Sequence, residues 1–473
     1  MASKKTKAKN RRILICVTAV ILAVIIIAIV VLYFVKPSMF HKFLGTGEHE
    51  WSGWTVSTEA TCGSDGEKWR DCIVCGEKQS EIITATGNHT FNGDNICIAC
   101  GFDNNTIAGD EAGARSSDLS IHFIELGNKA TGDCILIDCG EIEVLIDCGS
   151  QKNSAAYVKP YLDEYVDGKL DYVIATHSDE DHIAGLIGTK SGSSRTGILY
   201  QYEVGTFIQF DKAGKDGNGK PLVTDKGNPT LYSEYLDAVD YVKTQDTQVF
   251  TASQCYEGVG GAQRQYFLDE NRKISINILY NYYYYNSSAD ENNYSVVTLL
   301  TEELACGNRN YLFTGDLEED GESRMVDYYS QSSNSKSEYD VLPEVELYKA
   351  GHHGSKTSSS SKLLSVIKPK YVAVCCCAGS PEYTKVDANT FPTQQMIDNV
   401  SRYTENIYVT TLATDLPELN NGNFVSQSGY GHTSMNGNIV FYSSGGRLKL
   451  WCSGNDTILK DTDWFKEHRV WNA

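Results

Sequence analysis

A strand-like run, Leu170-Asp171-Tyr172-Val173-Ile174-Ala175, leads directly into Thr176-His177-Ser178-Asp179-Glu180-Asp181-His182. No other stretch restricts the fold as much. Imidazoles and carboxylates crowded at the end of a buried strand have one common physical use: holding a hard-to-borderline metal ion at the edge of a sheet. His177 and Asp179 stand two apart on an extended loop, so both side chains face one position. Asp181 and His182 are adjacent and diverge, so they serve a second position. His182-Ile183-Ala184-Gly185-Leu186 then opens a helix, with Asp179 or Asp181 near its N-terminus.

The N-terminus sets the expected topology. Lys4, Lys5, Lys7, Lys9, Arg11 and Arg12 precede a continuous apolar run from Ile13 to Val35, long enough to cross a bilayer. A basic flank stays cytoplasmic. Residues 1–12 are therefore expected as a cytoplasmic tail, 13–35 as a transmembrane helix ended by Lys36-Pro37, and 36–48 as a linker. No small-x-small cleavage site follows the run, which weighs against a signal peptide. Everything beyond it is expected outside the cytoplasm. The whole chain carries a formal charge of −20, and none of its acidic residues precedes the apolar run. Such a surface does not attract DNA or anionic lipid nonspecifically. Any polyanion substrate must be held locally, by metal and a few donors.

Residues 49–102 form a Cys/His-rich module. Cys72-x-x-Cys75 and Cys97-x-x-Cys100 have close to zinc-ribbon spacing. The segment from Gly47-x-His49-x-Trp51 is echoed by Gly87-x-His89-x-Phe91, and each copy leads to Cys-x-x-Cys-Gly. The expectation is one structural zinc on Cys72, Cys75, Cys97 and Cys100, with His49, Cys62 and His89 as substitutes. Disulfides are the alternative. A module this small needs a staple either way.

A polar linker, 103–117, precedes a large domain, 118–473. Strands are expected at Ile121–Leu126, Cys134–Ile137, Glu143–Asp147, Ser295–Leu300, Tyr311–Phe313, Val345–Tyr348, Tyr371–Cys376, Ile407–Thr411, Asn438–Tyr442 and Arg447–Trp451, with a helix over Lys159–Val166. Strand groups followed by helices, twice over, suggest two sheets packed face to face with helices outside. Residues 189–292 read as a long polar insertion. Its Tyr280-Asn281-Tyr282-Tyr283-Tyr284-Tyr285 is either a stacking lip for sugars or bases or a buried or edge strand. The cysteines of the large domain, including Cys375-Cys376-Cys377, sit mostly in apolar runs as small hydrophobes. His122 is expected to face solvent or a polar neighbour.

Together these motifs resemble the metallo-β-lactamase superfamily. His177-x-Asp179-x-Asp181-His182 looks like its second motif, in the variant where the middle histidine is aspartate. That variant, with Ile121-His122-Phe123-Ile124-Glu125-Leu126-Gly127 upstream and Lys349-Ala350-Gly351-His352-His353-Gly354-Ser355 downstream, resembles the soluble hydrolase domain of ComEC-type DNA-uptake proteins, over about Leu119 to Trp451. The resemblance implies an α/β fold, an αββα sandwich. It implies that Asp316, ending Tyr311-Leu312-Phe313-Thr314-Gly315-Asp316, bridges two metals, and that one histidine of the His352-His353 pair is a ligand, taken here as His353. The metal set is then His177, Asp179, Asp181, His182, Asp316 and His353, holding one or two ions of zinc or manganese. Asp181 also counts as catalytic. His352, Ser355 and Lys356 would contact a phosphoryl oxygen, where charge-assisted donors are most useful.

The departures bear on substrate. No histidine stands between His182 and His352, where most two-metal members carry a further ligand. Asn292-Asn293-Tyr294-Ser295 stands there instead, with Asn293 and Ser295 as candidates to line the site. Gly127-Asn128-Lys129-Ala130-Thr131-Gly132-Asp133 replaces the usual Gly-Gln-Gly-Asp turn, and Phe391-Pro392 replaces His-Pro. The expected protein is a membrane-anchored, extracytoplasmic metallohydrolase that cleaves a phosphodiester in DNA, a nucleotide or a cell-wall polymer. A lactone or amide hydrolase on the same fold, and a non-enzymatic surface binding module, are the alternatives.

Overall fold

The computed structural model describes residues 20–27, 29–31, 49–60, 62, 65–74, 76–84, 90–92, 96–98, 107–214, 219–304, 307–330, 342–444 and 446–472. The chain divides into a small unit, built on the residues up to Phe91 with Cys97–Gly101, and a large one on Phe102–Leu304 and Asn308–Ala473.

In the small unit, residues 20–27 and 29–31 are helical and present exposed apolar side chains. No helix among the described residues is long and apolar enough to cross a membrane. The remainder of the expected 13–35 span lies outside them. A three-stranded antiparallel sheet follows, Thr55–Thr58, Gly66–Asp71 and Lys78–Ile83. The Arg70 guanidinium stacks 4.4 Å from Trp54 and 4.9 Å from Trp51, tying the sheet to its N-terminal edge. The zinc expectation is only partly covered, since Cys75, His89 and Cys100 lie outside the described residues. Cys72 is buried, as are Cys62 and Cys97, whose sulfurs are 3.7 Å apart. That separation matches the edge of a tetrahedron with Zn–S bonds of about 2.3 Å and is far from a disulfide. It brings forward Cys62, the substitute, beside Cys97. His49 pairs instead with Glu77 at 3.5 Å.

The large unit holds two mixed sheets. The first takes β1 (Leu119–Phe123), β2 (Ile135–Asp138), β3 (Glu143–Ile146), β4 (Lys169–Ala175), β5 (Glu203–Gln209), β6 (Gln248–Thr251), β15 (Ile439–Ser444) and β16 (Arg447–Cys452) in the order β6-β5-β4-β3-β2-β1-β15-β16, edged by Ile107–Ala108. The second runs β7-β8-β9-β10-β11-β12-β13-β14, namely Gln265–Phe267, Ile274–Ile278, Thr298–Leu304, Gly307–Phe313, Leu347–Lys349, Tyr371–Ala378, Ile407–Thr414 and Gly431–Ser434.

The period-two alternation of strand side chains explains the layering. On β12, Ala373 and Cys375 join the core shared with β1, β4 and β10, whereas Val372, Val374 and Cys376 join a second core with helices α5 (Glu319–Ser330), α6 (Ser361–Ile367), α7 (Gln394–Val400) and α8 (Asp463–His468). Phe123 and Phe313 meet across the sheets at 6.2 Å. On the far side of the first sheet, α1 (Ser154–Leu162), α2 (Glu180–Ile187), α3 (Ile198–Gln201) and α4 (Leu231–Lys243) supply Val158, Leu186, Leu199 and Val239 to its core. The arrangement is the expected helix–sheet–sheet–helix sandwich. It also separates the cysteine triplet: Cys377 packs apart, with Ala413 and Tyr430.

Several boundaries differ from expectation. The helix expected at Lys159–Val166 occupies Ser154–Leu162, and the strand expected from Ser295 begins at Thr298. Part of the expected 103–117 linker is structured, as an edge strand and a short helix, Glu111–Arg115, capped by Asp110. The polar stretch 189–292 furnishes β5 and β6 to one sheet and β7 and β8 to the other. Within the tyrosine run, Tyr282–Tyr284 is a 3-10 turn, neither a strand nor an open lip. Tyr283 and Tyr284 are buried, and Tyr280 stacks on Tyr328 at 3.8 Å. His122 is fully buried between Ser120 Oγ and Tyr161 OH, each 2.7 Å away, and burial lowers its pKa to about 3.

Candidate metal centre

The parallel pairs β3–β4 and β10–β11 end at one place. The carboxyl ends of parallel strands are where an α/β sheet opens a crevice. From these ends come Asp147, the loop Thr176–His182, Asp316, and the segment Lys349–Ser355. The turn after β3 must come very close to the ligand loop. A Cβ on Gly149 would lie 1.6 Å from the Asp181 carbonyl oxygen, so only glycine fits there. His352 and His353 both hold left-handed backbone, φ 46 and 53. Two consecutive non-glycine residues in that region carry strain of the kind found at functional sites.

Asp133, His182, Asp316 and His353, all buried, each bring a ligand atom within 4.8 Å of the others. Atom by atom, they divide into two layers. His182 Nε2 and His353 Nε2 lie 3.2 Å apart, and each is within 3.2 Å of Asp316 Oδ2. Asp181 Oδ2 is 3.4 Å from His353 Nε2. Ligand atoms about 2.1 Å from one tetrahedral ion stand about 3.4 Å from each other. The His182, His353 and Asp316 atoms therefore have the mutual spacing of a coordination shell, with Asp181 Oδ2 beside His353. Asp133 faces the other side of the rings, with Oδ1 3.2 Å from His353 Nδ1 and Oδ2 3.9 Å from His182 Nδ1. Asp133 thus lies on the Nδ1 side of the two rings and Asp181 on the Nε2 side of His353.

The outer layer sets the histidine tautomers. His182 Nδ1 is 2.7 Å from Asp147 Oδ2, and His353 Nδ1 is 3.0 Å from the Cys375 carbonyl oxygen. Both partners are acceptors, so each Nδ1 carries its proton and each Nε2 turns a lone pair inward. Asp147 also accepts from Thr176 N at 2.8 Å and Thr176 Oγ1 at 2.6 Å, clamping the loop to β3. Lys349 is fully buried. Its Nζ donates to Asp133 Oδ2 (2.5 Å), Gly315 O (3.0 Å) and Asp316 Oδ1 (3.3 Å), so all three of its protons are used.

The electrostatics fit a cation. Burial opposes the charged forms of His182 and His353, yet Asp316, with Asp147 or Asp133, outweighs it and holds both imidazoles well above the ordinary value. Burial likewise opposes the Asp316 carboxylate, but His182, His353 and Lys349 hold it well below the usual range. The cluster demands positive charge. His177 differs: burial, helped by His182, lowers it to about 3. Its Nε2 is buried without a hydrogen-bond partner and lies 3.7 Å from Asp179 Oδ2. An orphaned imidazole lone pair beside a carboxylate fits a metal position, as do the four atoms above.

Residues 127–240 match the model of the metallo-beta-lactamase superfamily. The His177–His182 loop lies inside the matched residues. No curated protein matches this chain. Among solved structures, the metallo-beta-lactamase fold protein YhfI from Bacillus subtilis aligns over 67% of this chain and 100% of its own, at 10% identity and TM-score 0.32. Rm3 metallo-beta-lactamase aligns over 45% and 67%, at 11% identity and TM-score 0.26. A beta-lactamase from Chitinophaga pinensis aligns over 45% and 67%, at 12% identity and TM-score 0.25.

A cleft of about 380 Å³ opens onto Asp181 and Asp316, rimmed by Asn292, His352 and Tyr383. His352 has Nδ1 3.3 Å from Glu318 Oε1 and Nε2 3.9 Å from Asp316 Oδ2. Phe391, which stands in for the usual histidine, packs its ring 5.8 Å from His352 and 6.3 Å from His353. The remaining expected residues are placed elsewhere. Ser355 Oγ pairs with Thr357 Oγ1 at 2.9 Å, and Lys356 Nζ reaches Asn389 Oδ1 at 3.4 Å. Asn293 turns its amide nitrogen to Ser288 Oγ at 3.2 Å, while Asn292 faces the cleft. Ser295 Oγ accepts from Asp316 N at 3.0 Å and approaches His177 Nδ1 at 3.5 Å, so it orients both ligands from behind. Asp133, Asp147, Lys349 and Tyr383 were missed by sequence reasoning. Only Gly132-Asp133 carried a signal, because it ends the segment that replaces the Gly-Gln-Gly-Asp turn.

Proposed function

We propose that this protein is a metal-dependent phosphodiesterase or nuclease, anchored in the membrane by residues 13–35 with its hydrolase unit outside the cytoplasm. One observation carries the catalytic part. His182 Nε2, His353 Nε2 and Asp316 Oδ2 stand 3.1–3.2 Å from one another, and Asp181 Oδ2 lies 3.4 Å from His353 Nε2. Zinc or manganese bound there would polarise a substrate oxygen and lower the pKa of a water. The protein's own share is to fix the four ligands, exclude bulk water with Phe391, and present donors to nonbridging oxygens. Asn292, His352 and Tyr383 rim the cleft and suit that task better than Ser355 or Lys356, whose polar atoms are engaged outside it. The anchoring rests on the basic flank and apolar run, and the phosphodiester substrate on the motifs at His177–His182 and Lys349–Ser355. We also assign the small unit a structural zinc, with Cys62 and Cys97 among its ligands.

The test is turnover of a bis-aryl phosphate, of single-stranded DNA and of a lactone by the full chain, in manganese and in zinc. Diester cleavage that disappears in Asp181→Ala and Asp316→Ala supports the reading. Lactone cleavage without diester cleavage overturns it, as does a chain that takes up no metal outside its cysteines.

A further inference from the structure

The second metal position is the unusual part of this centre. His177 Nε2 and Asp179 Oδ2 face each other at 3.7 Å, and among the described residues no third histidine, cysteine or carboxylate forms a cluster with them. Ser295, which stands where a further ligand is expected, approaches His177 at Nδ1 and leaves Nε2 unserved. Asp179 is already in use. Lys220, from the stretch that ties both sheets together, donates from Nζ to Asp179 Oδ1 at 2.7 Å and to the Ser178 carbonyl at 3.3 Å. Glu291 Oε1 lies 3.6 Å away on the other side. Glu291 is itself fixed: it accepts from Ser178 Oγ and, at 2.7 Å, from Gly214 N. The ammonium therefore sits among three acceptors supplied by two different segments.

We propose that Lys220 is a positioning residue that competes for the second metal site, so that the centre binds one divalent ion tightly and a second only weakly. This rests on the preceding reading that the cluster holds metal. The reason is charge. An ion at His177–Asp179 would share a carboxylate with a fixed ammonium. Repulsion of a unit charge against a divalent ion a few ångströms away weakens binding about tenfold even in a water-like dielectric, and more where water is excluded. The inner position also shares a carboxylate with an ammonium, Lys349 on Asp316 Oδ1, but Asp133 offsets that charge from behind and two further imidazole nitrogens, His182 Nε2 and His353 Nε2, face the same place.

The experiment is manganese titration of the full chain, followed by metal analysis and electron paramagnetic resonance. Manganese is chosen because the thiolates of the small unit prefer softer ions. Wild type should take one ion tightly and show the hyperfine pattern of an isolated ion. Lys220→Met should tighten the second binding about tenfold or more and bring in the spectrum of an exchange-coupled pair. Lys220→Arg keeps the charge and should behave as wild type, which controls for folding and for loss of the side chain. Two comparably tight ions in wild type, or an unchanged second affinity in Lys220→Met, would overturn the proposal. A wild type that binds no manganese overturns the metal-centre reading itself, and this proposal with it.

Discussion

Asp133 Oδ2 stands 2.5 Å from Lys349 Nζ, both side chains almost wholly withdrawn from solvent, directly behind the two ligand histidines. Breaking a buried pair by removing one partner leaves the other charge stranded, at a cost of about 3–5 kcal/mol. Lys349→Met is therefore expected to lose about that much stability in urea unfolding. The double variant Lys349→Met with Asp133→Asn should recover part of it, because the stranded charge is gone. Additive losses in the double variant would contradict the pairing.

Asp147 orients His182 through Nδ1 and clamps Thr176 twice. Partners of ligand histidines typically set metal affinity by about 10–100-fold. Asp147→Asn should weaken metal binding within that range in a chelator competition, with the circular dichroism of wild type. An unchanged affinity would mean that the ring needs no such support.

Tyr383 reaches over the cleft, with its hydroxyl 3.1 Å from Asp181 Oδ2. A phenol hydrogen-bonded to a carboxylate stays a donor across the working pH range. A positioned donor to a developing charge contributes about 10²-fold or more in favourable cases. Tyr383→Phe should lower kcat for the diester by about tenfold or more while leaving the count of bound ions unchanged. Loss of metal together with activity would instead assign Tyr383 to ligand support.

Glu322, on α5, is fully buried and accepts from Ser359 N at 2.7 Å and Ser360 N at 2.8 Å, fastening the segment that follows the histidine pair. Burial raises its carboxyl from 4.5 to about 7, against the opposing pull of the Ser359 and Ser360 donors. The folded chain thus holds this proton more tightly than the unfolded one. The stabilisation is complete below pH 4.5 and is lost as pH rises through about 7. The shift corresponds to roughly 3 kcal/mol. Glu322→Gln should flatten the stability profile between pH 4.5 and 8, read by urea unfolding at fixed metal content. A wild-type slope in the variant would place the titration elsewhere.

The parts of the centre that sequence made visible are those contiguous in the chain. His177, Asp179, Asp181 and His182 announce themselves because a helix start and an extended loop put four ligands within six positions. Asp316 and His353 were found by likeness to known motifs. What stayed hidden is the outer layer. Asp133 lies in the loop before β2, Asp147 just after β3 and Lys349 at the end of β11, and each alone looks like an ordinary charge at a strand end. Lys349 in particular reads as a solvated flank until β10 and β11 are paired and its amine turns inward. The same limit applies to the fold. Alternation located most strands, but the polar composition of 189–292 read only as an insertion, because strands at a sheet border need only one apolar face.

That stretch has a practical consequence. It is the outer border of both sheets, with β5 and β6 covering β4 on one side and β7 and β8 covering β9 on the other. A trimmed protein lacking it would expose two bare rows of unpaired backbone amides and carbonyls. Such borders recruit strands from neighbouring molecules. Efforts to obtain a minimal hydrolase by excising the apparent insertion should therefore yield aggregates, and soluble material will come from keeping it whole.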